Sequence, residues 1–324
     1  MRTPEISVVI CAYSEDRWDQ ICAALDSVRR QSLPSAEIIL VIDNNPALYG
    51  RAVAAMLDVT VVENESAKGV SGARNTGANR AKGEIIAFLD DDARAHEDWL
   101  KFLTEAYSAP AVVGVGGLTL PRWETGRPAW LPKEFYWVIG CNYTGLPPSG
   151  TPVRNLIGAN MSFRREAFDL VGTGFATDIG RTDNGRPFGC EETEFCIKLR
   201  RRSPGSVLVM DDRAVVSHFV SDGRCKFSYF LSRCYAEGIS KAQMTGYVGW
   251  GEGLSTEHSY AMRTLPLGVA KAIADLFGGD ITGIGRVGAI ITGLGVTSIG
   301  YLRGKLNRPA QAPTAESDVW SQIQ

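Results

Sequence analysis

The chain of 324 residues has almost no excess charge: 34 Lys and Arg stand against 36 Asp and Glu, a formal −2. It therefore lacks the basic field that recruits nucleic acid by displacing counterions, and no nucleic-acid partner is expected. No C-x-x-C pair occurs among its seven cysteines, Cys11, Cys22, Cys141, Cys190, Cys196, Cys225 and Cys234. Odd in number and partly embedded in apolar runs, they read as reduced thiols in a cytosolic setting. No apolar core of signal-peptide length follows Met1-Arg2-Thr3-Pro4-Glu5, so no secretion is expected. The G-x-G-x-x-G spacing of a nicotinamide-dinucleotide site is missing too, since Gly114-Val115-Gly116-Gly117 does not supply it. With 44% apolar and 22% charged residues the composition is that of a globular protein, with disorder expected only at the ends, as in residues 308–324.

What the chain does have is Asp90-Asp91-Asp92 directly after the apolar run Ile85-Ile86-Ala87-Phe88-Leu89. Three adjacent carboxylates repel one another, so where a buried strand surfaces they supply countercharge for something cationic. Hard oxygen ligands suit Mg²⁺ or Mn²⁺, which take further ligands from water and substrate phosphates. A solvated turn capping the next helix is the alternative.

The segments around the triplet alternate strand and helix. Residues 6–12 form a continuous apolar β-branched run, as in a central strand covered on both faces. A helix is expected over 18–31, where Ile21, Leu25 and Val28 recur at helical spacing. Strands follow at 37–42 and 59–62, a helix at 71–81, the strand carrying the triplet, a helix at 96–107 and a strand at 111–118. Polar residues gather where these strands end, the pattern of an open α/β sheet whose ligands sit at those ends. A Pro- and Trp-rich stretch from Pro121 to Pro152 then interrupts regular structure. Beyond it come a strand at 160–163, a helix at 166–171, a Gly-rich loop from Gly172 to Gly189 and a helix at 191–202. The run 287–302 carries no charge, but sixteen residues at about 1.5 Å each fall short of the roughly 20 needed to span a bilayer. It reads either as an interfacial helix at a membrane surface or as a buried packing helix.

Five motifs in order carry a resemblance: Val8-Val9-Ile10-Cys11-Ala12-Tyr13, Asp43-Asn44-Asn45, Lys68 to Gly77 (KGVSGARNTG), Phe88-Leu89-Asp90-Asp91-Asp92, and Cys190-Glu191-Glu192-Thr193-Glu194-Phe195. Together they resemble the family 2 glycosyltransferases over roughly residues 5–220. The resemblance implies a GT-A fold, an α/β mixed sheet flanked by helices, with a nucleotide-binding half (1–118), an acceptor half (119–220) and a C-terminal helical region (221–307). It implies inverting transfer of a sugar from a nucleoside-diphosphate sugar to a hydroxyl acceptor, in polysaccharide or glycoconjugate assembly.

By that resemblance Asp90 and Asp92 form a D-x-D motif, with Asp92 the first choice as ligand of Mn²⁺ or Mg²⁺ and His218 completing the metal site. The donor nucleotide is expected against Ala12, Tyr13, Asp43, Asn64, Gly69, Arg74, Asp90 and Asp91. Arg matches phosphate oxygens bidentately, which suits Arg74 to the diphosphate. Asp43 reads equally as an Asx-turn residue, and Tyr13 as packing. Glu192 occupies the place of the general base and Glu191 that of a neighbour, although Glu-Glu where the family usually has Glu-Asp leaves the choice between them open. Glu194 is expected to pair with Lys198. The segment 221–226, with Arg224, is expected to cover the diphosphate. Trp123, Trp130 and Trp137 either stack on sugar rings or pack, and Asn160 is expected on a strand facing the donor sugar.

Two rivals remain within reach of the residues. A sugar-phosphate nucleotidyltransferase would carry a Gly-rich basic loop after the first strand, where this chain has the acidic Tyr13-Ser14-Glu15-Asp16. A catalytically silent sugar-binding or scaffolding protein at a membrane would use the triplet structurally. If the C-terminal segment rests on a membrane, the acceptor is a lipid-linked saccharide and the enzyme is peripheral on the inner face.

Overall fold

The computed structural model describes residues 3–179 and 189–306. Part of the Gly172–Gly189 loop and the tail 308–324 lie outside the described residues. Eight strands form one mixed sheet in the order β3-β2-β1-β4-β7-β6-β8-β5. They are β1 (Ile6–Ala12), β2 (Glu37–Ile42), β3 (Thr60–Glu63), β4 (Ile85–Asp90), β5 (Ala93–Ala95), β6 (Val112–Trp123), β7 (Asn160–Arg164) and β8 (Val207–Val220). The first four run parallel, β7 is antiparallel to both β4 and β6, β8 is parallel to β6, and the short β5 closes the edge antiparallel to β8.

The continuous apolar run of β1 follows from burial on both faces. Ile6, Val8 and Ile10 point into a layer made with Ile21 and Leu25 of α1 (Trp18–Arg29), Leu48 of α2 (Pro46–Ala55) and Trp99 of α4 (Trp99–Ala106). Val9 points the other way, into a layer rich in Phe88, Phe163, Phe175 and Phe195. That second layer is covered by α3 (Val70–Arg80), α5 (Glu166–Val171) and α6 (Glu191–Arg202), whose Phe195 sits 5.0 Å from Phe163. Because strand side chains alternate, burying both sets requires an unbroken apolar sequence.

Between β2 and β3 lies a helix the sequence reading did not include: the Asn45 side chain accepts from the Leu48 N–H at 3.0 Å and caps α2, with Pro46 in the first turn. The strand expected to end at 118 continues to Trp123, because β8 runs alongside and pairs Pro121 with His218 and Trp123 with Val220. The rest of the aromatic stretch holds a short 3-10 helix, Lys133–Ile139. Its Phe135 and Ile139 join Phe230, Leu265 and Ile290 in a third apolar cluster, which ties the stretch to the C-terminal helices.

Those helices are α7 (Phe227–Val248), the short α8 (Trp250–Gly253) and α9 (Ser255–Ser259), α10 (Leu265–Phe277) and α11 (Thr282–Leu306). The apolar run expected to be sixteen residues long belongs to a helix of 25. Gly283 lets its first turn lie against the Ala272 carbonyl of α10, and Arg286 pairs with Asp275 and Asp280, so the helix starts well before Val287. The objection from length to a membrane role therefore falls away: among the described residues α11 is the one helix long and apolar enough to cross a bilayer.

Candidate active site

The triplet occupies the turn between the central strand β4 and the edge strand β5. Asp90 closes β4 beside Cys11 of β1, and Asp91 and Asp92 are both buried. Register, not proximity in the chain, brings the next residue. Ala93 pairs with His218 across β5 and β8, so the imidazole arrives beside Asp92, with Nε2 3.0 Å from Asp92 Oδ1 and 3.9 Å from Asp90 Oδ2. The candidate ligand atoms of Asp90, Asp92 and His218 lie within 4.8 Å of one another. Two carboxylates and an imidazole are a donor set that fits Mn²⁺ or Mg²⁺, and with three protein ligands positions remain for water and phosphate.

Arg17, absent from the expected donor-binding residues, and Arg224, expected over the diphosphate, supply countercharge. Arg17 Nη1 donates to Asp91 Oδ1 at 2.6 Å and lies 3.4 Å from Asp92 Oδ2. Arg224, from the short 3-10 turn at Asp222–Cys225, donates to Asp92 Oδ2 at 3.1 Å. The consequences for the two aspartates are opposite. Burial pushes Asp91 up to about 7, with Arg17 only partly offsetting burial and its two acidic neighbours. Burial also opposes ionisation of Asp92, but His218, Arg224 and Arg17 overcome it and hold its carboxyl well below the usual carboxylate range. Asp91 Oδ2 has no hydrogen-bond partner among the described residues.

Arg74, buried on α3, bridges the triplet to the second acidic pair. Its guanidinium donates to Asp90 Oδ1 at 3.3 Å, Glu191 Oε1 at 3.1 Å and the Gly158 carbonyl at 3.2 Å. Glu191 and Glu192 open α6 behind Cys190, whose φ of 76° is left-handed, a conformation uncommon for a residue with a side chain. That turn points the two carboxyls differently. Glu191 is committed to Arg74, whereas Glu192 lines the cavity, held by a hydrogen bond from its own backbone and by no salt bridge among the described residues. Burial, reinforced by Glu191, pushes the Glu192 carboxyl up to about 8. Glu194 pairs with Lys198 one turn further on, as expected.

Of the expected nucleotide-binding residues, Ala12, Tyr13, Asp43, Gly69, Arg74, Asp90 and Asp91 all border one cavity of about 1010 Å³. Tyr13 is half exposed, with the Arg17 guanidinium 5.0 Å from its ring. Asp43 already spends its carboxylate on the protein, accepting from Asn64 Nδ2 at 2.7 Å and from the Gly69 N–H at 2.9 Å. Asn64 thus braces Asp43 and is not among the cavity-lining side chains. Gly69 has φ 118°, and a Cβ at Gly72 would stand 1.7 Å from the Ala67 carbonyl oxygen, so only glycines allow the loop to fold this tightly.

The sugar-facing expectations divide. Trp137 lines the cavity, its indole N–H donating to Tyr260 Oη at 3.1 Å. Trp123 does not reach it and packs edge-on against Tyr136, while Trp130 packs against Phe227 and Phe230. Asn160 is fully buried: Oδ1 accepts from the Trp99 indole at 2.8 Å and Nδ2 donates to the Ala214 carbonyl at 3.0 Å. Its amide is consumed in joining β7 to α4 and β8, so it faces no sugar.

The far wall of the cavity carries a charge network that sequence reading missed. Arg154 holds Glu257 bidentately at 2.7 and 2.9 Å, Lys241 Nζ lies 2.6 Å from Glu257 and 3.2 Å from Glu237, and Arg233 reaches Glu237 at 3.5 Å. The only local signal is the four-residue spacing of Arg233, Glu237 and Lys241 along α7, which reads as an ordinary solvated stripe.

A parallel α/β half with carboxylates at its strand ends, closed over one cavity by a mixed second half, defines a GT-A-type glycosyltransferase. Residues 7–172 match the protein-family model described as Glycosyl transferase family 2, and the chain belongs to that family. It is 32% identical to the glucosyl-dolichyl phosphate glucuronosyltransferase of Haloferax volcanii over 244 residues, 74% of this chain and 77% of that one. The fold resembles the mannosyltransferase PcManGT from Pyrobaculum calidifontis in complex with GDP-Man and Mn²⁺, with TM-score 0.62 at 17% identity, covering 93% and 88% of the two chains. It also resembles GalNAc-T7 with UDP, GalNAc and Mn²⁺, with TM-score 0.51 at 21% identity over 72% of this chain and 48% of that one. At such identities the two structures speak for the fold alone.

Proposed function

We propose that this enzyme transfers a sugar, with inversion at the anomeric carbon, from a nucleoside-diphosphate sugar to a hydroxyl of a lipid-linked saccharide, with Mn²⁺ or Mg²⁺ held by Asp90, Asp92 and His218. The bound cation would supply Lewis-acid neutralisation of the leaving diphosphate. Arg17 and Arg224 face the same corner and add fixed positive charge where negative charge develops. Asp43 and Gly69 border the site at the end of β2, where a nucleoside would be held; Tyr13 offers it an aromatic face.

Glu192 carries the chemistry in this reading. Its carboxylate takes the proton of the acceptor hydroxyl as that oxygen bonds to the anomeric carbon and the bond to the diphosphate oxygen breaks on the opposite side. The observation that carries the assignment is the contrast within α6: Glu191 is locked to Arg74, and Glu192 borders the cavity with no salt bridge among the described residues and a raised pKa suited to a base. The acceptor's class is supported by the named substrate of the Haloferax volcanii relative. All seven cysteines are free thiols, which agrees with a cytoplasmic site of action. A panel of nucleotide sugars assayed with Mn²⁺ for thermal stabilisation and then for transfer tests the proposal, with the anomeric configuration of the product read by NMR. A retained configuration would overturn the single-displacement mechanism.

A further inference from the structure

Eleven of the eighteen exposed large apolar side chains among the described residues fall between Met262 and Leu306, on the hairpin of α10 and α11. On α11, Ile284, Ile291 and Leu302 lie along one stripe at helical spacing, and Leu267 and Phe277 project from α10. An exposed apolar surface of this extent marks an interaction site.

We infer that this hairpin lies flat on a membrane surface bearing anionic lipids, and that it does so independently of the reaction assigned above. Charge favours lipid over a second copy. Residues 262–306 contain five basic and two acidic side chains, a net +3 in a chain whose total is −2. Both acids, Asp275 and Asp280, are already paired with Arg286, whereas Arg263, Lys271, Arg303 and Lys305 are exposed. Two copies meeting through this face would bring like charges together, while an anionic bilayer surface meets apolar side chains and cations at once.

The hairpin lies on the membrane and does not cross it. The opposite side of α11 is clamped to α7 by close backbone contact. A Cβ at Gly300 would stand 2.2 Å from the Tyr235 carbonyl oxygen, and one at Gly238 would stand 2.1 Å from that of Thr297. To span a bilayer, α11 would have to leave that contact and strip the third apolar cluster of Ile290. The exposed face also meets the cavity: Leu294 and Leu302 line it and are exposed.

Flotation of the full chain with phosphatidylcholine vesicles, with and without phosphatidylglycerol, tests this. The protein is expected to float with the anionic vesicles and less with the neutral ones. The double variant Ile284→Glu/Ile291→Glu should lower the bound fraction at least tenfold while keeping the melting temperature. Failure of the wild type to float with either vesicle overturns the inference, and so does undiminished flotation of the variant. A detergent-free dimer in sedimentation that the same variant dissociates would assign the face to a second copy instead.

Discussion

His218 Nε2 lies 3.0 Å from Asp92 Oδ1 because Ala93, the next residue after the aspartate, is the strand partner of His218. The candidate ligand set is thus a product of β5–β8 pairing. His218→Ala and Asp92→Asn should each lower Mn²⁺-dependent transfer by ~10²-fold or more, the scale of losing a group that neutralises developing charge. Steady-state kinetics across a Mn²⁺ titration measures this.

The raised pKa of Glu192 gives a pH dependence of definite sign. As a base it must be ionised, so kcat/KM should rise with pH and level off above about 8. Glu192→Gln should fall by ~10²–10⁴-fold and lose the profile, whereas Glu191→Gln keeps it. Stability runs the other way. The folded pKa lies above the ordinary value of 4.5, so the folded state holds the extra proton and loses that advantage as pH rises from about 4.5 through 8. Melting curves of wild type and Glu192→Gln should therefore diverge across that window, with the wild type falling.

Asn160 and Trp137 separate structure from binding. Asn160→Ala leaves the Trp99 indole N–H buried and unpaired, which costs about 1–3 kcal/mol of stability while the KM values stay near wild type. Trp137→Ala should raise the acceptor KM by ~10-fold with a smaller effect on donor KM, since its ring faces the cavity.

The Arg154–Glu257–Lys241 network predicts acid sensitivity. Lys241 and Arg154 overcome the cost of burying Glu257 and hold its carboxyl well below the usual range. The stability this provides is present above the ordinary glutamate pKa and is lost as pH falls towards the depressed value. Glu257→Gln leaves two cations without their shared acid and should cost about 3 kcal/mol at neutral pH, measurable by urea unfolding.

Much of the nucleotide half was legible because its signals are local. A β-branched run covered on both faces, an acidic triplet at its end and a helix opened by acids each declare themselves within ten residues. What escaped is pairing across the chain. Arg17 reaches the triplet from a segment whose own sequence reads as a turn, and nothing near Asn160 reveals that Trp99 consumes its amide. Arg154 and Glu257 meet only because α9 folds back over the second half. Helix α2 has its signal in Asn45-Pro46, but a cap and a turn begin with the same residues, so the pair does not by itself declare a helix.

Isothermal titration of a nucleoside diphosphate into the wild type and Asp92→Asn, each with and without Mn²⁺, addresses the metal corner most directly. Binding that requires Mn²⁺ in the wild type and disappears in the variant is the expected result. Equal binding by both proteins, or binding by the wild type indifferent to Mn²⁺, would contradict a cation held between Asp90, Asp92 and His218.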